Sequence, residues 1–364
     1  VATTGDEFTL DTAAELAAEE GSAGKEIQGR SPWALAWRRL RRNYVALGSL
    51  AVFILVVLAC LLAPLYVSHV SHIPPNEVRL GASVVKNGQQ IPVVSNGHTS
   101  IVNGVPVIKT GGIPIGAQWG ATGGPYILGA DELGRDVVTR LLYGGRNSLF
   151  IGVTSAAITT IVAVILALLA GYFGGGTDWV ISRFFDLIWA FPVILLGIAL
   201  GTALSVNGFH HLGINLSGSS LWITVGVVAF VFIPYIGRPL RGQILALRQR
   251  EFVEAATAQG AGPIRIMFTE VLPNIASTVL VLFTLIIAAC ILTEVGLSFL
   301  GAGVQPPNPS WGTMIAEGEN QLATAPQISL YAGLAIAVTV LAINIFGDGL
   351  RDALDPRAKV RIEH

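Results

Sequence analysis

The chain has 364 residues, of which 52% are hydrophobic and only 12% charged, with a formal net charge of −1 and a mean hydropathy of +0.64. A soluble globular chain carries roughly 25% charged residues, so this one cannot cover its surface with polar groups, and part of its solvent must be lipid. The charge balance offers no basis for nucleic-acid binding. The two cysteines, Cys60 and Cys290, lie inside apolar runs and read as small core hydrophobes, with neither a disulfide framework nor a metal-ligand spacing.

Residues 1–30 are rich in Ala, Glu, Gly and Thr and read as a disordered acidic tail. No cleavable signal peptide is legible, because the first apolar run is too long for a signal-peptide core, and that run is expected to stay as an anchor. Ser31-Pro32-Trp33 places a capping residue before a first-turn proline. Trp33 and Trp37 are four apart, and Arg38, Arg39, Arg41 and Arg42 follow. This predicts a short interfacial helix ahead of the membrane.

Six long uncharged segments then predict an all-α polytopic membrane protein with six transmembrane helices. They are Tyr44–Tyr66, Asn147–Thr177, Leu187–Phe209, Leu221–Gly237, Val271–Thr293 and Asn320–Gly347. A span needs roughly 20 apolar residues to cross ~30 Å of hydrocarbon. The fourth, at 17 residues, extends to Leu240 if Arg238 snorkels. Pro192 and Pro234 remove backbone donors within spans three and four, so kinks are expected there. With both termini placed in the cytoplasm, sixteen Lys and Arg fall inside and six outside, the asymmetry that the positive-inside rule requires.

The outer connection between spans one and two carries Asn87-Gly88, Asn96-Gly97 and Asn103-Gly104, each flanked by Val, Ile or Thr-rich stretches. Asn-Gly accepts positive φ at both turn positions and is a strong hairpin signal. A small extracytoplasmic β-meander is predicted, with strands near 82–86, 89–95, 98–102 and 105–109. So small a sheet is marginal alone, so it must lean on the chain's own outer loops or on a partner.

In the fourth connection, Glu254 to Gln259 should be helical, with Gly260 as the stop. Phe252, Ala255, Ala256 and Gln259 then share a face. Such a cytoplasmic helix is either an ordinary amphipathic connector or a knob for a partner's groove. Glu294 ends 23 uncharged residues. A carboxylate at mid-membrane costs roughly 2.5–3.5 kcal/mol, and counting ~1.5 Å per residue puts it near the outer face. There it either lines the outer end of a pathway or holds the glycine-rich turn after it. Asp186 pairs with Arg183 in the same reading, as a local ion pair at the cytoplasmic edge.

Glu254-Ala255-Ala256, Gly260 and Leu272-Pro273 resemble the EAA loop of ABC importer permeases, with Glu270 standing where that pattern often has Ile. Further motifs resemble the dipeptide, oligopeptide and nickel permease group. They are Trp37-Arg38-Arg39-Leu40-Arg41-Arg42-Asn43, Leu128 to Asp136, Gly171 to Gly175, Phe191-Pro192, Glu294 to Gly301, Gln305-Pro306-Pro307, Pro309 to Gly312 and Gly347 to Arg357. The resemblance spans about residues 31–357 and implies a type I importer permease fold. The acidic tail and the Asn-Gly meander fall outside the resemblance, and with them the chain is expected to divide into a tail (1–30), an interfacial helix with the first span (31–66), an outer loop (67–127), a permease core (128–346) containing the coupling loop 238–274, and a cytoplasmic C-terminal segment (347–364). The resemblance also implies partners: a second permease subunit, two ATP-binding subunits or domains and an extracytoplasmic substrate-binding protein, beside the membrane lipid that the composition calls for. In this reading Phe252, Glu254, Ala255, Ala256, Gln259 and Gly260 couple to the ATPase. Glu294, Pro192 and Pro234 are pathway or gate candidates.

The chain has no G-x-x-x-x-G-K-[ST] loop, so it should not itself hydrolyse ATP. No catalytic residue, cofactor or metal is expected. An ion-driven secondary transporter is the competing function, but it needs ionisable residues near mid-membrane or an internal repeat, and neither is clear. Short peptides are the favoured cargo, with nickel or another small solute as the alternative.

Overall fold

The computed structural model describes residues 32–95, 99–102, 105–108, 112–118, 126–211 and 214–355. The acidic tail, the Ser31 cap, the Asn96-Gly97 and Asn103-Gly104 turns and residues 356–364 lie outside the described residues. Helix α1 (Pro32–Arg42) carries Trp37, which is exposed and stacked beneath Arg41. Asn43 caps α2 (Tyr44–Leu61), accepting from the Ala46 amide at 3.0 Å. Helical turns carry the chain on to His72, where φ is +52°. Most apolar side chains of α2 point outward, among them Leu55, Leu58 and Leu61. In water that would be untenable; against lipid tails it is the expected face of a spanning helix.

Helix α3 (Val137–Phe173) begins ten residues before the predicted second span and is capped by the Asp136 carboxylate at 2.9 Å from the Thr139 amide. Its first three turns carry Arg140 and Arg146, charges that mark the edge of the membrane but not the edge of the helix. The helix stops at Phe173, short of the predicted Thr177, because Gly174 takes φ +66°. Helices α4 (Gly175–Trp189) and α5 (Val193–Asn207) follow, bent by 89° at Phe191-Pro192. The third span is therefore a broken pair and not the kinked Leu187–Phe209 helix expected. Pro192 caps α5 instead of lying within it.

Helix α6 (Leu221–Arg248) passes through Pro234 and Pro239 without interruption. It exceeds the predicted Leu221–Gly237 by eleven residues. After α7 (Glu251–Ala258), continuous helix runs from Pro263 through a π-type segment, Met267–Val271, into α8 (Leu272–Phe299). Helix α9 (Trp311–Glu319) is closed by a reciprocal Ser310–Thr313 cap, and α10 (Gln327–Leu354) replaces the predicted Asn320–Gly347. Among the described residues five helices are long and apolar enough to span a membrane, and six crossings result if the bent α4–α5 pair is one.

Helix α3 sits at the centre, packed on α6, α8 and α2. Ser155 and Thr159, one turn apart, donate to the Val225 and Ala229 carbonyls of α6 at 3.0 and 2.9 Å. Such small, hydrogen-bonding contacts replace the hydrophobic drive that lipid removes. Gly171 lets α3 touch α6. A methyl group there would lie 2.6 Å from Ile244 Cγ2 and 2.7 Å from its Cβ. Gly171→Ala should therefore lower stability by about 1–3 kcal/mol through overpacking. A reduced melting midpoint of the purified protein would show it.

The connection between α2 and α3 forms a small lobe. Strands β1 (Ser83–Lys86) and β2 (Gln89–Pro92) make a hairpin in which Asn87 and Gly88 have φ of +53° and +79°, as the Asn-Gly signal requires. Strands β4 (Thr99–Val102) and β5 (Val105–Ile108) make a second, with Val102 opposite Val105. Between them, β3 (Val94–Ser95) pairs with β6 (Ile113–Pro114) and not with β4. The pairing is thus a clasp around the second hairpin and departs from a consecutive meander. The lobe leans on this same chain. Ile73, Val84, Val93, Tyr126 and Ala130 form one buried cluster, and the Ala130 amide donates to Ile115 O at 3.0 Å. A further hairpin, β7 (Phe209–His211) with β8 (Ile214–Leu216), joins α5 to α6 where only loop was expected.

Candidate coupling helix and pathway elements

Helix α7 starts after Arg250, whose backbone is extended at φ −89° and ψ 147°. Glu251 and Glu254 occupy its first turn, where the helix dipole favours negative charge. It closes as a Schellman motif. The Ala261 amide donates to Ala256 O at 3.1 Å and the Gly260 amide to Thr257 O at 2.9 Å, with Gly260 at φ +82°. This is the stop expected at Gly260.

The predicted face divides. Phe252 and Ala256 are half-buried and pack, with fully buried Val253, onto the helical core. Glu254, Ala255, Ala258 and Gln259 are exposed. The helix thus grips its own protein on one side and presents a short, small-residue ridge on the other. A recess of about 580 Å³ lies beside it, walled by Tyr172, Arg248, Val253 and Thr257. Helix α7 lies between the end of α6 and the start of the α8 crossing, so a displacement of α7 pulls on both.

Helix α4 is tied to α6 by charges that sequence reasoning only partly found. Asp178 accepts from Arg241 Nε and, at 2.6 Å, from Nη2. Asp186 accepts from Arg183 at 3.0 Å, as expected, and also from Arg238 at 2.5 Å. The Arg238 guanidinium lies 4.0 Å over the Trp189 ring, which stacks on Tyr235. The available signal was two isolated acids on one segment facing two isolated bases on the next long helix.

Glu294 is fully buried. Ser298 Oγ donates to its Oε1 at 2.7 Å and accepts from the Val304 amide at 3.0 Å, with the Ser148 and Ser310 hydroxyls flanking the carboxyl. The residue thus meets α3, the turn after α8 and the start of α9. Pro192 lies exposed at the α4–α5 break and Pro234 is buried within α6.

A second buried cluster was missed. Arg140, 1% exposed, donates to Glu317 at 2.7 Å and to the Pro75 carbonyl at 3.3 Å, and lies 3.4 Å from Asp131. Arg135 bridges Asp131 at 2.6 Å and Glu317 at 2.8 Å. Four charges from three segments thereby fasten the outer lobe to α3 and α9. Among the described residues no group of three His, Cys, Asp or Glu could hold a metal ion.

Long lipid-facing helices, a broken crossing and an exposed helical ridge between two spans together define a multi-pass membrane transport protein. Residues 163–360 match the family described as binding-protein-dependent transport system inner membrane component, and residues 31–77 match the N-terminal TM domain of oligopeptide transport permease C. The chain belongs to this family: it is the permease subunit of an ABC importer, in which ATP is hydrolysed by separate subunits and a partner permease is implied. The chain is 35% identical to a glutathione transport system permease protein of Pectobacterium atrosepticum, over 91% of this chain and 93% of that one. It is 34% identical to a dipeptide transport system permease protein of Alkalihalophilus pseudofirmus, over 90% and 91%. A di/tripeptide transport system permease protein of Pseudomonas aeruginosa is 40% identical, over 64% of this chain and 73% of that one.

Proposed function

We propose that this permease forms half of a translocation pathway for short peptides in the cytoplasmic membrane, with both termini and α7 in the cytoplasm and the β-lobe outside. The observation that carries the reading is α7 itself. Its exposed Glu254, Ala255 and Gln259 stand on a helix anchored from behind by Phe252, Val253 and Ala256. A ridge so held transmits force as a rigid body, which is what converting ATPase motion into alternating access needs. An extracytoplasmic binding protein delivers solute to the opposite side. Glu294 acts in this scheme by fixing the turn before α9. The 89° break at Pro192 allows α4 to follow α6 while α5 follows the outer half. The relatives named for glutathione, dipeptide and di/tripeptide transport support peptides over nickel.

Both native cysteines are buried, so an introduced one can be labelled selectively. A membrane-impermeant thiol reagent added from outside should modify Gln90→Cys and leave Ala258→Cys untouched until the membrane is opened. The reverse pattern would overturn the topology. Proteoliposomes holding the complex purified through this chain, with its binding protein, should take up labelled dipeptide only with ATP inside. Uptake of Ni²⁺ to the exclusion of peptide would overturn the cargo.

A further inference from the structure

A groove of about 700 Å³ opens between α2, α3 and the start of α6, and the coupling and pathway elements make no use of it. Its walls are Val57 and Leu61 of α2, Phe150, Val153 and Thr154 of α3, and Leu221. Arg146, Tyr143 and Trp222 line it as well. Arg146 is exposed and forms no ion pair among the described residues. It is also the last charge on α3, since the chain from Asn147 to Thr177 is uncharged. Trp222 meets Phe150 edge to face at 5.4 Å and begins α6, so it lies at the same membrane surface as Arg146.

We infer that this groove is a site for one anionic phospholipid, with an acyl chain between α2 and α3 and the phosphate on Arg146. Three features point to a lipid. The walls lie among the outward leucines of α2, where only hydrocarbon or another helix can be the neighbour. Tryptophan at the mouth is the usual anchor at the level of lipid headgroups. A guanidinium matches phosphate oxygens in bidentate geometry, and such charge-assisted bonds gain strength at the edge of a low-dielectric region. A helix of the partner permease packed into the groove would instead strand Arg146 at a dry contact, which is costly for an unpaired charge. The volume is that of an ordinary small-ligand pocket, enough for part of one lipid. The bound lipid would seal α2, otherwise the least enclosed span, against α3.

The test uses the assembled importer, purified through this chain, delipidated and titrated with dioleoylphosphatidylglycerol or dioleoylphosphatidylcholine under native mass spectrometry. One phosphatidylglycerol per copy of this chain should be held about tenfold or more tightly than phosphatidylcholine. Arg146→Gln should abolish that preference, and Arg146→Lys should keep most of it. Equal preference in the wild type and Arg146→Gln would overturn the proposal. A second arm does not depend on the charge. A photo-reactive benzoylphenylalanine in place of Val57 should, in the native membrane, yield an adduct of lipid mass. Crosslinking to the partner permease, or no adduct, would overturn the site.

Discussion

Arg140→Ala should destabilise the protein by about 3–5 kcal/mol, the scale seen when one partner of a buried charge pair is removed. The arginine is 1% exposed and serves Glu317, Asp131 and the Pro75 carbonyl together. Truncation leaves Asp131 with Arg135 alone and Glu317 short of its closest contact. The measurement is the thermal midpoint of the purified complex, with the amount assembled in the membrane. Glu317→Gln should cost less, because the Glu317 side chain is 26% exposed and water can take up part of what is lost. A midpoint unchanged by Arg140→Ala would show that the cluster does not hold the outer lobe in place.

The second large effect is expected at Ala255. Its side chain is exposed, so Ala255→Trp should leave insertion and folding intact and obstruct whatever docks on the ridge. A loss of about 2 kcal/mol or more is typical of a central interface position. That corresponds to roughly a thirtyfold weaker hold on the ATP-binding subunits, since 1.4 kcal/mol is tenfold. Co-purification of those subunits and peptide uptake should fall together. Ala256→Trp provides the contrast, because it drives bulk into the core and should reduce the yield of folded protein first. Full uptake with Ala255→Trp would refute the assignment of the docking face.

Five of the spans were legible because each holds a long uncharged run; the third was legible only in its second half, because α4 carries Asp178, Arg183 and Asp186. The stop at Gly260 was legible because only a residue at ease with positive φ closes a helix that way. Helix ends were not legible where a charge lies inside a helix and is neutralised from elsewhere. Arg238 and Arg241 sit well within α6 and Arg140 in the first turn of α3, where an acid from a segment up to 177 residues away meets each of them. Which residues of α7 face the core was not legible, because the angle at which a short helix leaves α6 decides whether Val253 or Gln259 points home. Nothing in eight residues specifies that angle. The Asn87-Gly88 hairpin obeys local turn chemistry and was found, and the strands flanking Asn103-Gly104 pair as expected, whereas those flanking Asn96-Gly97 do not pair with each other. The β3–β6 pairing joins residues 18 apart, and its register is set by the cluster around Val93 and Tyr126.

That clasp also bears on how the chain tolerates change. Ser95 and Ile113 are paired in the ladder and through the Ser95 hydroxyl at 3.1 Å, and the Ile115 amide reaches Val93 O at 2.9 Å. The two ends of everything between them are therefore pinned side by side. Lengthening a segment whose ends are already fixed adds only about 0.6 kcal/mol per doubling of its length. The stretch between Ser95 and Ile113 should therefore accept extension by design, with an epitope or a fluorescent domain, at little cost to the fold that holds its two ends.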